Sequence, residues 1–388
     1  MTSTSYHIIP GYAAILATLV MLWGCKDAYI SPYRSPATGY LVVEGYISGN
    51  SATRFTLSRS VPLPGSTSLP KETGASVEVE GTDGSVYRLS EIGNGVYSDT
   101  NALPLTTAAH YQLRIKTLGG GEYLSDTVPF KPTPPIDSVN FVQNGDNSVT
   151  IYVNTHDPTN NTRYYLWNWD QTFEYHSAEE SLYYWDKPLD SVLLRPDTAQ
   201  VFKCWLSGSS GSILVSNSTK LAQDEIYLQK VNTIPPNDVQ LSVLYTILVR
   251  QYALTVDGYN FLSLMQQNTE SLGSIFDAQP TALKSNIHSL TNPSEVVIGY
   301  VSAGTVQQYR LWIARDQILS TFVEKCDIDD GFIAMGDTNG YKIYFGSVYS
   351  PVTQGVEKGV FGYTTNYTDC LVCTFHGGTN QAPNYWPK

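Results

Sequence analysis

The chain has 388 residues, a formal net charge of -12 and a pI near 4.9, with only 15% charged residues but 28 tyrosines. Such acidity excludes a nucleic-acid binder or a protein that adheres to anionic membrane surfaces by charge. Few charges with abundant Tyr, Gly and Pro is the balance of an exported all-β protein, and no stretch after residue 24 has the length of a membrane helix.

The first predicted element is residues 8–22, an uncharged apolar run containing Pro10 and Gly11, which leads into Leu22-Trp23-Gly24-Cys25. Its length suits a signal-peptide core and is short for a span. A small residue directly before a cysteine, with Leu three places upstream, is the pattern of a lipoprotein signal over residues 1–24. Cys25 is then the lipidated first residue of the mature chain. Bulky Trp23 and the absence of Lys or Arg from residues 1–7 depart from that pattern; the competing readings are an ordinary secretory signal and a buried apolar strand. Residues 25–38, with Pro32 and Pro36, are the expected tether.

Strand patterning begins at residue 39. Residues 41–47 form the first strand, Phe55 and Leu57 share one face, and Ala75, Val77 and Val79 oppose Ser76, Glu78 and Glu80. Asp83-Gly84 and Asn94-Gly95 are hairpin turns. Tyr111, Leu113 and Ile115 alternate with polar residues up to Gly119-Gly120-Gly121. About seven short strands at this spacing predict an immunoglobulin-like sandwich over 39–131. Pro132-Thr133-Pro134-Pro135 predicts a stiff linker at 132–136. Residues 137–235 predict a second sandwich of fibronectin type III kind, with an insertion at 177–198. Residues 236–388 predict a β-rich C-terminal region with a cysteine-rich tail and one helix, 256–276, where Phe261, Leu264, Met265, Leu272 and Ile275 recur at helical spacing. The expected fold is thus mainly β: tandem immunoglobulin/fibronectin-like β-sandwiches, then a mixed C-terminal region.

With Cys25 given to lipid, Cys204, Cys326, Cys370 and Cys373 remain, and four cysteines in an oxidising compartment predict two disulfides. Cys370 and Cys373 could bridge directly, or Cys326 could take one of them; the sequence does not choose. Cys370-x-x-Cys373-x-x-His376 also has zinc-like spacing, but zinc needs thiolates. A redox pair would want a helix N-terminus, whereas these cysteines sit in a strand-like stretch. Asp327-Ile328-Asp329-Asp330-Gly331 resembles the opening of a calcium loop, yet Gly falls fifth and Thr338 twelfth, so a solvated acidic turn fits better. Tyr165, Trp167 and Trp169 share one strand face and are expected in a core. Tyr183, Tyr184 and Trp185 in the insertion are the candidates for ligand binding, because flat aromatic faces stack on sugars. There is no H-E-x-x-H, no G-x-S-x-G and no phosphate loop leading into a helix; residues 208–212 read as a flexible Gly-Ser loop. No enzyme, metal or cofactor is expected.

Taken in order, several segments resemble the Bacteroidota lipoproteins grouped as domain of unknown function 4249. They are Cys25, Leu41-Val42-Val43-Glu44-Gly45, Gly74-Ala75-Ser76-Val77 leading to Gly95-Val96-Tyr97, and Pro134-Pro135-Ile136-Asp137-Ser138-Val139. There follow Gly273-Ser274-Ile275-Phe276-Asp277 with Pro280, Asn286-Ile287, Pro293 through Gly299-Tyr300, and the tail with Cys370, Cys373, Gly377-Gly378-Thr379-Asn380 and Pro383-Asn384-Tyr385-Trp386. The resemblance implies an outer-membrane lipoprotein, on either face, that accompanies a TonB-dependent transporter. It implies no catalytic residue.

The expectation that follows is an accessory, non-catalytic binding lipoprotein beside such a transporter in nutrient uptake, with a glycan or peptide as ligand. The alternatives are a surface adhesion or structural sandwich module and, less favoured, a glycan- or peptide-directed hydrolase. The anchor is directly testable. Cys25→Ser should abolish labelling with palmitate and release a folded protein from the membrane fraction; continued labelling, or retention after a salt wash, would show that the cysteine is not the anchor.

Overall fold

The computed structural model describes residues 39–61, 69–270, 284–319, 322, 326, 331–345 and 348–387. Cys25, the expected helix beyond Glu270 and the acidic turn at 327–330 lie outside them.

Eight strands run through the first part: β1 (Leu41–Ser48), β2 (Ala52–Arg59), β3 (Ser76–Gly81), β4 (Val86–Gly93), β5 (Val96–Ala102), β6 (His110–Lys116), β7 (Glu122–Ser125) and β8 (Val128–Lys131). Their alternation is as the sequence predicts. Val77 and Val79, Phe55 and Leu57, and Tyr111, Leu113 and Ile115 all point into one core. Asn94 and Gly95 both take positive φ in the β4–β5 turn, as a tight hairpin requires.

The second part is a sandwich. One sheet has the order β16 (Asp224–Ile234), β10 (Val149–Asp157), β9 (Ile136–Gln143). The other has the order β14 (Lys203–Ser209), β11 (Tyr164–His176), β17 (Leu244–Ala253), β21 (Val306–Ala314), with β15 (Leu214–Asn217) added beside the start of β11. First, second and fifth strands facing third, fourth, sixth and seventh is the seven-stranded fibronectin-like arrangement. Tyr165, Trp167 and Trp169 fill its core, as expected. The sandwich does not stop at residue 235, because its last two strands come from 244–314. An insertion after β11 forms the hairpin of β12 (Tyr183–Asp186) and β13 (Ser191–Leu194).

Between β17 and β21 the chain leaves the sandwich. It forms α1 (Val256–Glu270), capped by Thr255, whose hydroxyl oxygen accepts from the Gly258 amide at 3.1 Å. It then crosses to the first part as β18 (Ile287–Ser289), β19 (Ile298–Gly299) and β20 (Ala303–Gly304). β20 pairs in parallel with β1 on one side and β8 on the other, and β8 also pairs with β6. The circuit β1-β2-β5-β4-β3-β6-β8-β20 therefore closes. The first domain is a barrel-like closed sheet of eight strands, not the sandwich expected for 39–131. The physical reason is the edge left between β1 and β8: a barrel has none, and here the missing strand arrives from far along the chain. Ile287, Val297, Val301 and Ala303 join the barrel core. Glu295 of the crossing segment accepts from the Tyr123 hydroxyl at 2.8 Å and lies 3.5 Å from Arg59, which pairs with Glu72 at 2.5 Å.

Nor is the Pro-rich segment a free linker. Thr133 donates to Thr305 twice, from its amide to the hydroxyl and from its hydroxyl to the carbonyl, and its hydroxyl oxygen accepts from the Ala253 amide, while the Pro134 carbonyl accepts from Gln251.

Past β21, β22 (Gly331–Ala334), β23 (Tyr349–Glu357) and β24 (Val360–Tyr367) form a small sheet in the order β22-β24-β23. Short helices α2 (Thr338–Tyr344) and α3 (Thr368–Leu371) flank it, and α3 is followed by a 3-10 turn at Cys373–His376. No helix among the described residues is long and apolar enough to cross a membrane.

Closure predicts coupled unfolding. A Cβ on Gly304 would lie 2.0 Å from the Lys131 carbonyl oxygen and 2.4 Å from the Tyr46 hydroxyl, so Gly304→Val must push β20 away from β8. A cost of roughly 3 kcal/mol is expected for such overpacking. Trp167, Trp169, Trp185, Trp205, Trp312 and Trp386 all lie outside the barrel. Their fluorescence in urea should nevertheless shift with the barrel substitution, in one transition; an unchanged tryptophan midpoint would show that the domains unfold independently.

Candidate functional site

The outer wall of the barrel faces the second sheet of the sandwich across a cleft of about 800 Å³. Strand alternation builds both walls. On β1 and β2 the residues that turn away from the barrel core are Val42, Glu44, Tyr46 and Arg54. On β11 and β17 they are Leu166, Asn168, Asp170, Arg250 and Tyr252, each between residues committed to the sandwich core. Leu262 and Met265 of α1 and Ile298 and Tyr300 of the crossing segment close one end. The loop at 209–213 closes another. It is tied down, since the Ser210 amide donates to the Trp169 carbonyl at 2.8 Å and Gln266 of α1 donates to the Ile213 carbonyl at 2.7 Å.

The cleft carries charge of both signs. Arg250 donates to Asp170 at 2.5 Å and the Ser209 hydroxyl donates to the other carboxylate oxygen at 2.7 Å. Burial would raise the Asp170 carboxyl; the hydrogen bonds from Arg250 and Ser209 and the charges of Arg250 and Arg310 outweigh it and hold it below the usual carboxylate range. Across the cleft, Glu44 and Arg54 make no ion pair among the described residues. Tyr252 meets Tyr46 edge-on with ring centres 4.9 Å apart, and Asn168 donates to its hydroxyl at 3.3 Å. Burial pushes both phenols above their ordinary range. The arrangement can hold an amphipathic molecule: apolar side chains form one end, and paired and unpaired charges the other.

The residues singled out from sequence lie elsewhere. Cys204 on β14 is bonded to Cys373, and Cys326 to Cys370, so the four cysteines form two disulfides and the C-x-x-C members do not bridge each other. Cys370 and Cys373 sit in α3 and the following 3-10 turn rather than in a strand. His376 meets the Asp369 carbonyl, and no group of three or more metal-ligating side chains occurs among the described residues. Tyr183 and Trp185 pack on the small core formed by Ile333, Tyr341 and Tyr363, and Arg195 lies over the Tyr184 ring. None of the three lines the cleft. Sequence reasoning missed Asp170, Arg250, Asn168 and Tyr252. Their only signal is alternation, polar or aromatic positions facing outward on strands whose inward positions are core, and nothing in it joins strands about eighty residues apart.

The fold and the cleft define a class: a mainly β protein in which the connection between the last two strands of a fibronectin-like sandwich supplies the strand that closes a barrel, with a groove between the two. The chain belongs to the family described as Domain of unknown function (DUF4249), whose model matches residues 30–310, more than half of the chain. The match begins after Cys25 and ends within β21, so the disulfide-bonded tail lies beyond it. Among functionally curated proteins none matches the chain. Solved structures with some likeness include a chain of a "Cytokine receptor complex", at 13% identity, covering 54% of this chain and 90% of that one, with a TM-score of 0.18. Another is the chicken CNTN1 FN1-FN3 domains, at 13% identity, covering 56% of this chain and 63% of that one, with a TM-score of 0.19.

The tail borders the cleft on the same sheet face, and Glu174 ties it there. Trp386 donates to Glu174 at 2.9 Å, and His176 meets the other carboxylate oxygen at 2.9 Å. Burial opposes ionisation of Glu174, but His176, Trp386 and the charge of Lys203 hold its pKa below the ordinary value. A depressed folded-state pKa gives stabilisation that is complete above the unfolded value of about 4.3 and is lost as pH falls through the folded one. The protection of residues 377–387 against hydrogen exchange, taken relative to the intrinsic rate at each pH, should therefore fall below about pH 4, with Cys373 held by its disulfide. Protection that stays constant between neutral and acidic pH would show that Glu174 does not hold the tail.

Proposed function

We propose that this chain is a non-catalytic binding subunit, lipid-anchored through Cys25 at the outer membrane, that works beside a TonB-dependent transporter in nutrient uptake. One observation carries the binding role: the cleft is already formed between two domains, one of which is closed by a strand that the connection within the other supplies, and such a junction is where small-ligand sites commonly form. The charged groups in it support binding over chemistry, because Asp170 is committed to Arg250 and Ser209 and held ionised. Such a carboxylate is a poor proton donor or acceptor near neutral pH. The export signal and the family resemblance support the location and the transporter. A tether of residues 25–38 would let the folded body clear the headgroups while the cleft stays free.

Purification of the tagged protein from its native membrane in mild detergent should bring down a β-barrel TonB-dependent transporter, identified by mass spectrometry. Recovery of the protein without any such barrel would sink the accessory role and leave a self-sufficient surface module.

A further inference from the structure

We infer that the cleft between barrel and sandwich takes a short peptide carrying an apolar side chain; this rests on the binding role proposed above. Three features of the lining select the ligand class. At the α1 end the wall is aliphatic, with Leu166, Ile213, Leu262, Met265 and Ile298. Such a surface offers no partner to sugar hydroxyls, which would lose hydrogen bonds to water without replacement. It does suit an apolar side chain, and the flexible Met265 adapts to more than one shape.

The tyrosines, which a sugar site would present as open flat faces, are engaged with neighbours. Tyr252 meets Tyr46 edge-on at 67°, and Tyr300 lies against Phe261 with ring centres 5.5 Å apart.

At the other end the charges are mixed. Arg54 on the barrel and Glu44 on the neighbouring strand make no ion pair among the described residues, while the Asp170–Arg250 pair faces them. A ligand with only a carboxylate, such as a fatty acid, would meet Arg54 and Arg250 but be opposed by Glu44 and Asp170. A peptide brings an ammonium, a carboxylate and amide donors and acceptors, so it answers both signs at once, and the amides of Asn168 and Gln308 also line the cleft. The volume of about 800 Å³ is that of a site for a ligand the size of a few residues.

The test is calorimetric titration of the purified protein with zwitterionic tripeptides containing Leu or Phe, with maltopentaose, and with decanoate. The tripeptides should bind and the other two should not. Arg54→Glu should weaken peptide binding about tenfold, the loss of one charge-assisted contact. Ser212→Trp, at an exposed position on the loop that rims the cleft, should abolish it by filling the mouth. Both positions are exposed, and far-ultraviolet circular dichroism should show an unchanged fold. Binding of maltopentaose or decanoate in place of the peptides, with the same sensitivity to Ser212→Trp, would overturn the peptide assignment and keep the cleft as a binding site. Peptide binding indifferent to both substitutions would overturn the cleft as the peptide site. No binding by any probe would also overturn the inference, while the transporter partnership would stand or fall on co-purification alone.

Discussion

The barrel depends on a strand of two residues. Ala303 and Gly304 pair with Ile47 and Ser48 on one side and with Phe130 and Lys131 on the other, and without them β1 and β8 would expose open edges. The fit is close enough that only glycine suits the second position, with the Lys131 carbonyl where a Cβ would stand. That strand lies inside the connection between the last two strands of the sandwich. The first domain therefore completes its hydrogen bonding only after nearly the whole sandwich has been made, and contacts of such sequence separation carry a large loop-closure cost. In return, the connection is held at three points in the barrel and at both ends in the sandwich.

A second set of contacts anchors the segment that joins the domains. Gln251, fully buried on β17, accepts from the Trp167 indole at 2.9 Å and donates to the Pro134 carbonyl and the Thr155 hydroxyl. All of these polar groups are removed from water, so each would be costly to leave unpaired. The Pro-rich segment that joins the domains is thus part of the sandwich core rather than a hinge. With β20 holding the connection to the barrel and this network holding the linker to the sandwich, the groove between the domains is one that a ligand finds already shaped.

Much of the local structure was legible in the sequence, because alternation and turn chemistry act locally. Asn94-Gly95, the Tyr111-Leu113-Ile115 face and the Tyr165-Trp167-Trp169 core follow from period-two patterning and positive-φ turns. Pairing was not legible. A chain of short strands reads alike whether it closes as a barrel or stacks as a sandwich, and the deciding strand is the dipeptide Ala303-Gly304, which carries no strand signal of its own. The same limit hid the candidate site: Asn168 and Asp170 look like ordinary solvent-facing residues until Arg250 and Tyr252 are laid beside them. The aromatic triplet in the insertion stands out for its composition, and Tyr183 and Trp185, partly buried, pack on a sheet more than a hundred residues away.

The outer face of the second sheet is divided between two occupants, and the division accounts for the open groove. Along β11, the outward residues Thr172 and Glu174 are covered by the tail, through the Tyr385 hydroxyl and the Trp386 indole, while Asn168 and Asp170, one turn of the pleat earlier, face the cleft. Trp386 wedges edge-on between Trp205 and Trp312, and the Cys204–Cys373 bond pins the segment that leads to it. Arg310 stands at the border. Its guanidinium lies 4.1 Å from the centre of the Tyr385 ring, and its charge reaches Asp170. The tail buries the aromatic half of the face and ends where the charged half begins. Polar side chains resist burial against an apolar strap, so the covering stops at Arg310 and the rest of the sheet is left as one wall of a cleft.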